Sequence, residues 1–294
     1  MNKFYFFICL LILFSSEVLS SNHISSEIIN KKSTKNDVFT IQLMGGLGNQ
    51  LFLAAGQISY ARRFHKDICL KEPFNPAFNV NYRICTPEEI KKATEKPCNF
   101  VRFSPAIYNK SDCSTLKGYL QNERFFEDQK DFIKEIFQFK EKLPRQLDAL
   151  VEEIKRKNSV AVHIRRGDYL YSPNVYPIMS VEYYQQGADY IQSKSADPIH
   201  LYIFSDDIKW VRDNFKTTYP FTLIQGNSAT QDMQLMSLCK HNIIANSTFS
   251  WWGAYLNKNP KKIVVAPDKW NLINKWWGDD IILKNWVVLP SDAK

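Results

Sequence analysis

The sequence predicts an α/β fold with parallel, doubly wound sheets, and three observations carry that prediction. Short apolar runs of strand length alternate with segments whose apolar residues recur every three or four positions, the pattern of βαβ units. The runs are apolar throughout rather than alternating, as expected for strands covered on both faces. The unusual residues gather in the loops after those runs, where open parallel sheets bind ligands. The 294 residues are 45% hydrophobic and 23% charged, which excludes a disordered or fibrous chain and leaves room for two domains. A formal charge of +8 suits an anionic ligand. Lys and Arg are scattered without a run of five, so the charge reads as a solvated surface and no nucleic-acid partner is expected.

Taken in order, residues 4–14 form an unbroken apolar run after Lys3. That is short of the roughly 20 residues that span a bilayer. Residues 1–20 are therefore expected to be a signal peptide or a short signal anchor, with cleavage after Val18-Leu19-Ser20 favoured and a membrane anchor as the alternative. Residues 21–37 read as a flexible stem. A strand at 39–43 leads through a glycine loop to a helix at 51–64. The stretch 69–119 reads as irregular, and 127–139 and 145–157 as helices. Then strands at 160–164, 199–204, 221–224, 242–245 and 263–266 alternate with helices at 181–191 (capped by Ser180), 208–215, 230–238 and 251–256. A boundary near residue 157 divides a unit of 38–157 from one of 158–294.

Beyond Cys9 there are five cysteines. Cys69, Cys85, Cys98 and Cys113 can form two disulfides in any of three connectivities, which supports an oxidising compartment, and Cys239 is left over. The absence of Cys-x-x-Cys or Cys/His ligand spacing argues against zinc. Asn109 and Asn246 head glycosylation sequons. Asn109 is expected to carry a glycan in a eukaryotic source, and Asn246, at the end of a strand, to carry none.

Three loops hold the candidate chemistry. Gly45, Gly46 and Gly48, three of only ten glycines, precede Asn49 and Gln50 at a helix start. They permit close backbone approach to a ligand, or simply make a tight turn. His163, Arg165, Arg166 and Asp168 leave a buried strand. Two guanidinium groups there are costly unless an anion or carboxylate meets them, and Asp168 can orient one. Arg166-Gly167-Asp168 also spells an adhesion tripeptide, which requires an exposed loop tip. Asp206 and Asp207 can accept from the N1–H and N2–H of guanine or cap the following helix. Ser247, Thr248 and Ser250 can bind phosphate oxygens at the start of another helix. The tryptophans read as packing. No Asp-x-Asp triplet occurs, so cationic side chains and helix ends would have to neutralise a diphosphate without metal.

GGLGNQLF at 45–52, HIRRGDY at 163–169, FSDD at 204–207 and NSTFSWWGAYL at 246–256, in this order and spacing, resemble the α-1,2-fucosyltransferases of glycosyltransferase family 11 over about 210 residues. The resemblance implies a GT-B-like fold, two Rossmann-like domains facing across a cleft, with 38–157 on the acceptor side and 158–294 binding the donor. It implies GDP-L-fucose as donor substrate, no cofactor, and inversion at the anomeric carbon on transfer to a galactose 2-hydroxyl of a glycan. It places Arg166 on the β-phosphate, His163 and Asp206 or Asp207 at guanine or ribose, and Ser247, Thr248, Phe249 and Ser250 at the diphosphate. Asn49 matches an asparagine needed for catalysis in a related protein O-fucosyltransferase group, flanked by Gly46, Gly48 and Gln50. Asp168 is the nearest carboxylate, either a base or an arginine partner. Animal members are usually type II Golgi membrane proteins. A secreted, non-catalytic glycan-binding or adhesion protein on the same fold is the competing expectation.

Overall fold

A computed structural model describes residues 37–273 and 280–292. The expected targeting segment and nearly all of the stem lie outside the described residues, as do Trp276 and Trp277. Among the described residues no helix is long and apolar enough to cross a membrane.

The first unit opens with strand β1 (Val38–Ile41), helix α1 (Leu47–Arg63) and strand β2 (Asp67–Leu70). With β3 (Arg83–Ile84) they form a parallel sheet in the order β1-β2-β3. A short helix α2 (Pro87–Lys92) follows, then a parallel ribbon of β4 (Pro97–Asn99) and β5 (Thr115–Lys117). So the stretch expected to be irregular contains strands, but of two to four residues, too short to leave a periodic trace. Disulfides stand in for the missing strand length. Cys69–Cys85 joins β2 to the residue after β3, and Cys98–Cys113 joins β4 to the approach to β5. Cys98, Asp112 and Cys113 lie close together, but the two sulfurs are bonded to each other. The two expected helices at 127–139 and 145–157 are shorter, α3 (Lys130–Ile136) and α4 (Asp148–Arg156), each entered through a 3₁₀ turn.

The second unit is the regular one. Strand β6 (Asn158–Ile164) is buried along its whole length. It is followed by α5 (Val181–Ser193), β7 (Ile199–Ser205), α6 (Ile208–Asn214), β8 (Phe221–Leu223), α7 (Ala229–Leu238), β9 (His241–Ile243), α8 (Thr248–Tyr255), β10 (Val264–Pro267) and β11 (Val287–Leu289). All six strands are parallel, in the order β11-β10-β9-β6-β7-β8. The chain leaves β6 toward one edge and β9 toward the other. The topological switch point therefore falls between these two neighbours, where a ligand crevice is expected. Two α/β units with parallel sheets make the fold GT-B-like.

The units share apolar packing through α1 and α8. Phe52 lies 4.5 Å from Trp251 and 5.1 Å from Trp252, ring centre to ring centre. Both tryptophans are fully buried, as the packing reading expected.

Candidate active site

The two helices that cross between the units point their N-termini at the same place. Helix α1 starts at Leu47, earlier than its apolar pattern suggests, so Gly48, Asn49 and Gln50 occupy its first turn. Its N-cap, Gly46, has no side chain to offer, and Gly45 takes φ +73°, a conformation that suits glycine. Helix α8 starts at Thr248, and its N-cap Ser247 makes no side-chain cap. By contrast Ser180, Asp207 and Ser228 cap α5, α6 and α7 with their side chains. The open amides of α1 and α8 carry partial positive charge and unused donors, a combination that binds anions. The two helix starts touch: a Cβ on Gly48 would lie 2.4 Å from Thr248 C and from Phe249 N.

A cleft of about 460 Å³ opens there, at the switch point. Gly45, Gly46, Gly48 and Asn49 line it from the first unit, and Arg165, Asp168, Ser247, Thr248 and Phe249 from the second. Asn49 is held at its carbonyl oxygen by Thr248 Oγ1 at 2.8 Å and Gln121 Nε2 at 2.9 Å.

The arginines divide differently from the expectation. Arg165 lines the cleft, fixed by Asp168 at 2.5 Å and Asp206 at 2.8 Å, with its guanidinium 5.1 Å from the Tyr169 ring centre. Arg166, expected on the phosphate, turns away. Its guanidinium stacks 3.8 Å over Trp210 and pairs with Asp207 at 3.2 Å. Both lie just past the end of β6, and their different partners, Asp168 and Asp206 for Arg165 and Asp207 and Trp210 for Arg166, fix them in different directions. Gly167 permits this packing, since a Cβ there would come within 2.4 Å of Asp206 Oδ2. In the Arg166-Gly167-Asp168 tripeptide, Arg166 is paired with Asp207, and Asp168 is exposed but bound to Arg165.

The acidic pair separates cleanly. Asp207 caps α6, accepting from Trp210 N at 3.0 Å. Asp206 accepts from the Arg166 backbone N–H at 2.9 Å and holds Arg165. Neither lines the cleft. Four other candidates stand behind it. His163 is buried against Phe249, and burial together with the Arg165 charge pushes its pKa down to about 3. Its Nδ1 has no hydrogen-bond partner among the described residues. Gln50 donates to Gly45 O at 2.9 Å and closes the loop. Ser250 is buried and donates to Ser247 O at 3.2 Å. Asn246 is buried, its Nδ2 donating to Pro177 O at 3.1 Å and Trp270 O at 3.0 Å. Asn109 is exposed at the end of a 3₁₀ turn.

Sequence reasoning missed Tyr119, Gln121, Tyr176, Trp270 and Asn271, which line the cleft together with Leu47, Tyr169 and Ala229. Tyr119 and Gln121 follow β5, a strand too short to notice, so nothing marked them as strand-end residues. Tyr176 is recognisable only through Tyr169, on which it stacks at 4.2 Å with planes 14° apart.

A cleft at the switch point of a doubly wound sheet, ringed by two helix starts and an arginine, has the features that suit an anionic ligand. The chain belongs to glycosyl transferase family 11, whose model matches residues 104–290. It is 38% identical over 168 residues to the O-antigen biosynthesis glycosyltransferase WbnK of Escherichia coli, covering 53% of this chain and only 54% of that protein. It is 30% identical over 273 residues to an alpha-1,2-colitosyltransferase of Escherichia coli, covering 79% of this chain and 92% of that protein. A galactoside alpha-(1,2)-fucosyltransferase 1 of Oryctolagus cuniculus is 24% identical over 256 residues, covering 79% of this chain and 67% of that protein.

Proposed function

We propose that this glycosyltransferase is an inverting galactoside α-1,2-fucosyltransferase that takes L-fucose from GDP-β-L-fucose. One observation carries the reading: the uncapped starts of α1 and α8 and the Arg165 fork converge on one cleft. Such a site matches the diphosphate of a sugar nucleotide. Residues 158–294 would hold the nucleotide, and 38–157 the acceptor, with the Tyr119, Tyr169, Tyr176 and Trp270 rings as apolar walls for sugar faces.

In this mechanism the acceptor hydroxyl attacks C1 of fucose from the face opposite GDP. The C1–O bond to the β-phosphate breaks, and charge grows on that phosphate. Arg165, held by Asp168 and Asp206, and the α8 amides receive the charge. Asn49 orients the reacting groups from the other unit. Asp168 is the one carboxylate lining the cleft among the described residues, and it is paired with Arg165. The acceptor proton therefore leaves late, from an oxocarbenium-like transition state, and passes to water or to a non-bridging oxygen of the departing β-phosphate, with little help from a protein base. No metal is required in this scheme.

The test is GDP release from GDP-fucose with a panel of galactose-terminated glycans, with and without EDTA. The GDP derivative of colitose belongs in the same panel, because one relative carries that name. Release that requires a galactose 2-hydroxyl and survives EDTA supports the reading. Tight glycan binding without any GDP release would make the chain a binding protein, and loss to EDTA with rescue by Mn²⁺ would end metal independence. We further propose entry into the secretory pathway through residues 1–20, with residence in the Golgi lumen or release. The disulfides in the first unit support an oxidising compartment. Asn109 is then the sequon to carry a glycan, because the Asn246 amide nitrogen is already engaged.

A further inference from the structure

We infer that Gln121 is a positioning residue that fixes which end of the Asn49 amide faces the cleft. The inference rests on the role given to Asn49 above. Gln121 lies four residues beyond β5, beyond the cleft-lining Tyr119. Its Nε2 donates to Asn49 Oδ1 at 2.9 Å, and Thr248 Oγ1 donates to the same oxygen at 2.8 Å. A carbonyl oxygen offers two lone pairs, so both are used. The Asn49 amide is thereby left with its nitrogen as the end available to a ligand. That nitrogen lies over Gly45, where an added Cβ would meet it at 2.7 Å, and Gly45 lines the cleft.

The chemistry depends on the direction of this amide. Held as it is, Asn49 presents N–H donors to an oxygen that gains negative charge. Flipped, it would present a carbonyl oxygen and repel that charge. The two restraints come from different units, Gln121 from the first and Thr248 from the first turn of α8. Asn49 is therefore correctly aimed only when α1, α8 and the β5 exit are assembled. This is how the contact between units would control the rate without touching the nucleotide.

The substitution that tests it is Gln121→Glu, which keeps the shape and turns the donor into an acceptor. The Asn49 amide then turns its nitrogen toward the new carboxylate. We expect kcat to fall about 10²-fold, the scale of losing one oriented transition-state donor. The donor KM, and GDP affinity by calorimetry, should stay within about twofold, because Gln121 lines the cleft from the unit proposed to hold the acceptor and its amide nitrogen is spent on Asn49. Gln121→Met removes the donor without reversing it, and kcat should fall only about tenfold, since Thr248 still donates. In an Asn49→Ala background, Gln121→Glu should cost nothing more, because no amide remains to aim. A folded Gln121→Glu enzyme with near wild-type kcat, while Asn49→Ala is inactive, would overturn the inference. So would a full additional loss in the Asn49→Ala background, which is the signature of an independent structural role. If Asn49→Ala itself keeps the wild-type rate, the role of Asn49 falls and this inference falls with it.

Discussion

Arg165 and Arg166 are neighbours with the same side chain and opposite surroundings. Arg165 lines the cleft with its guanidinium held by both Asp168 and Asp206, and a lysine cannot reproduce that two-sided geometry. Arg165→Lys should cost about 10²–10³ in kcat with the fold intact. Arg166→Lys loses the planar stack on Trp210 and weakens the contact with Asp207, and should cost about 1 kcal/mol of stability and little rate. Steady-state kinetics and thermal melts of the two purified variants check this, and the opposite pattern would return the phosphate to Arg166. His163 gives a pH signature. Burial, aided by Arg165, lowers its pKa from 6.5 to about 3 in the folded protein. Above pH 6.5 both states are neutral at this ring and its contribution is complete. As pH falls below 6.5 the unfolded chain takes up a proton that the folded one refuses until about 3. Stability should therefore decline across that window by roughly 1 kcal/mol per pH unit. His163→Phe should remove much of the slope, while His200 and His241, also lowered by burial, retain the remainder. Urea melts from pH 7 to pH 4 measure it.

Helices α1 and α8 show why some elements were legible and their ends were not. The apolar parts of both were visible as periodic runs. Their first turns include Gly48-Asn49-Gln50 and Thr248-Phe249-Ser250, of which Gly48, Asn49, Thr248 and Phe249 line the cleft, and no amphipathic pattern reveals a turn of that kind. The same choice leaves a testable asymmetry between glycines. Gly48→Ala would drive a Cβ into the α8 backbone at 2.4 Å, where no flexible side chain can yield. It should cost about 1–3 kcal/mol and weaken GDP binding by pushing the helix starts apart. Gly46→Ala meets nothing within 4 Å and should fold like the wild type. Calorimetric GDP titration and melting curves separate the two, and equal losses would mean that the helix contact does not shape the cleft. At its other end α8 is closed: Lys262 donates to Ala254 O and Asn257 O, both at 2.7 Å.

For the whole molecule, the second unit was readable because each strand is a compact apolar run between amphipathic helices. The first was not, because β3, β4 and β5 are two or three residues long and two disulfides replace the periodic signal. The site was legible as four motifs but not as a partnership. Gln121 meets Asn49 across 72 positions, and Thr248 across 199. Which of Asp206 and Asp207 caps α6 also had to come from geometry. The disulfides close loops of 15 and 16 residues, and each should contribute about 3 kcal/mol by restricting the unfolded chain. Reduction with dithiothreitol should thus lower the melting temperature markedly, while buried Cys239 stays unreactive in the native state; labelling of that thiol without unfolding would contradict its burial. The most direct measurement is a crystal structure of the GDP complex. The β-phosphate should sit about 3 Å from the first-turn amides of α8 and from the Arg165 guanidinium, within reach of Asn49. A β-phosphate held by Arg166, or a GDP bound away from both helix starts, would contradict the account.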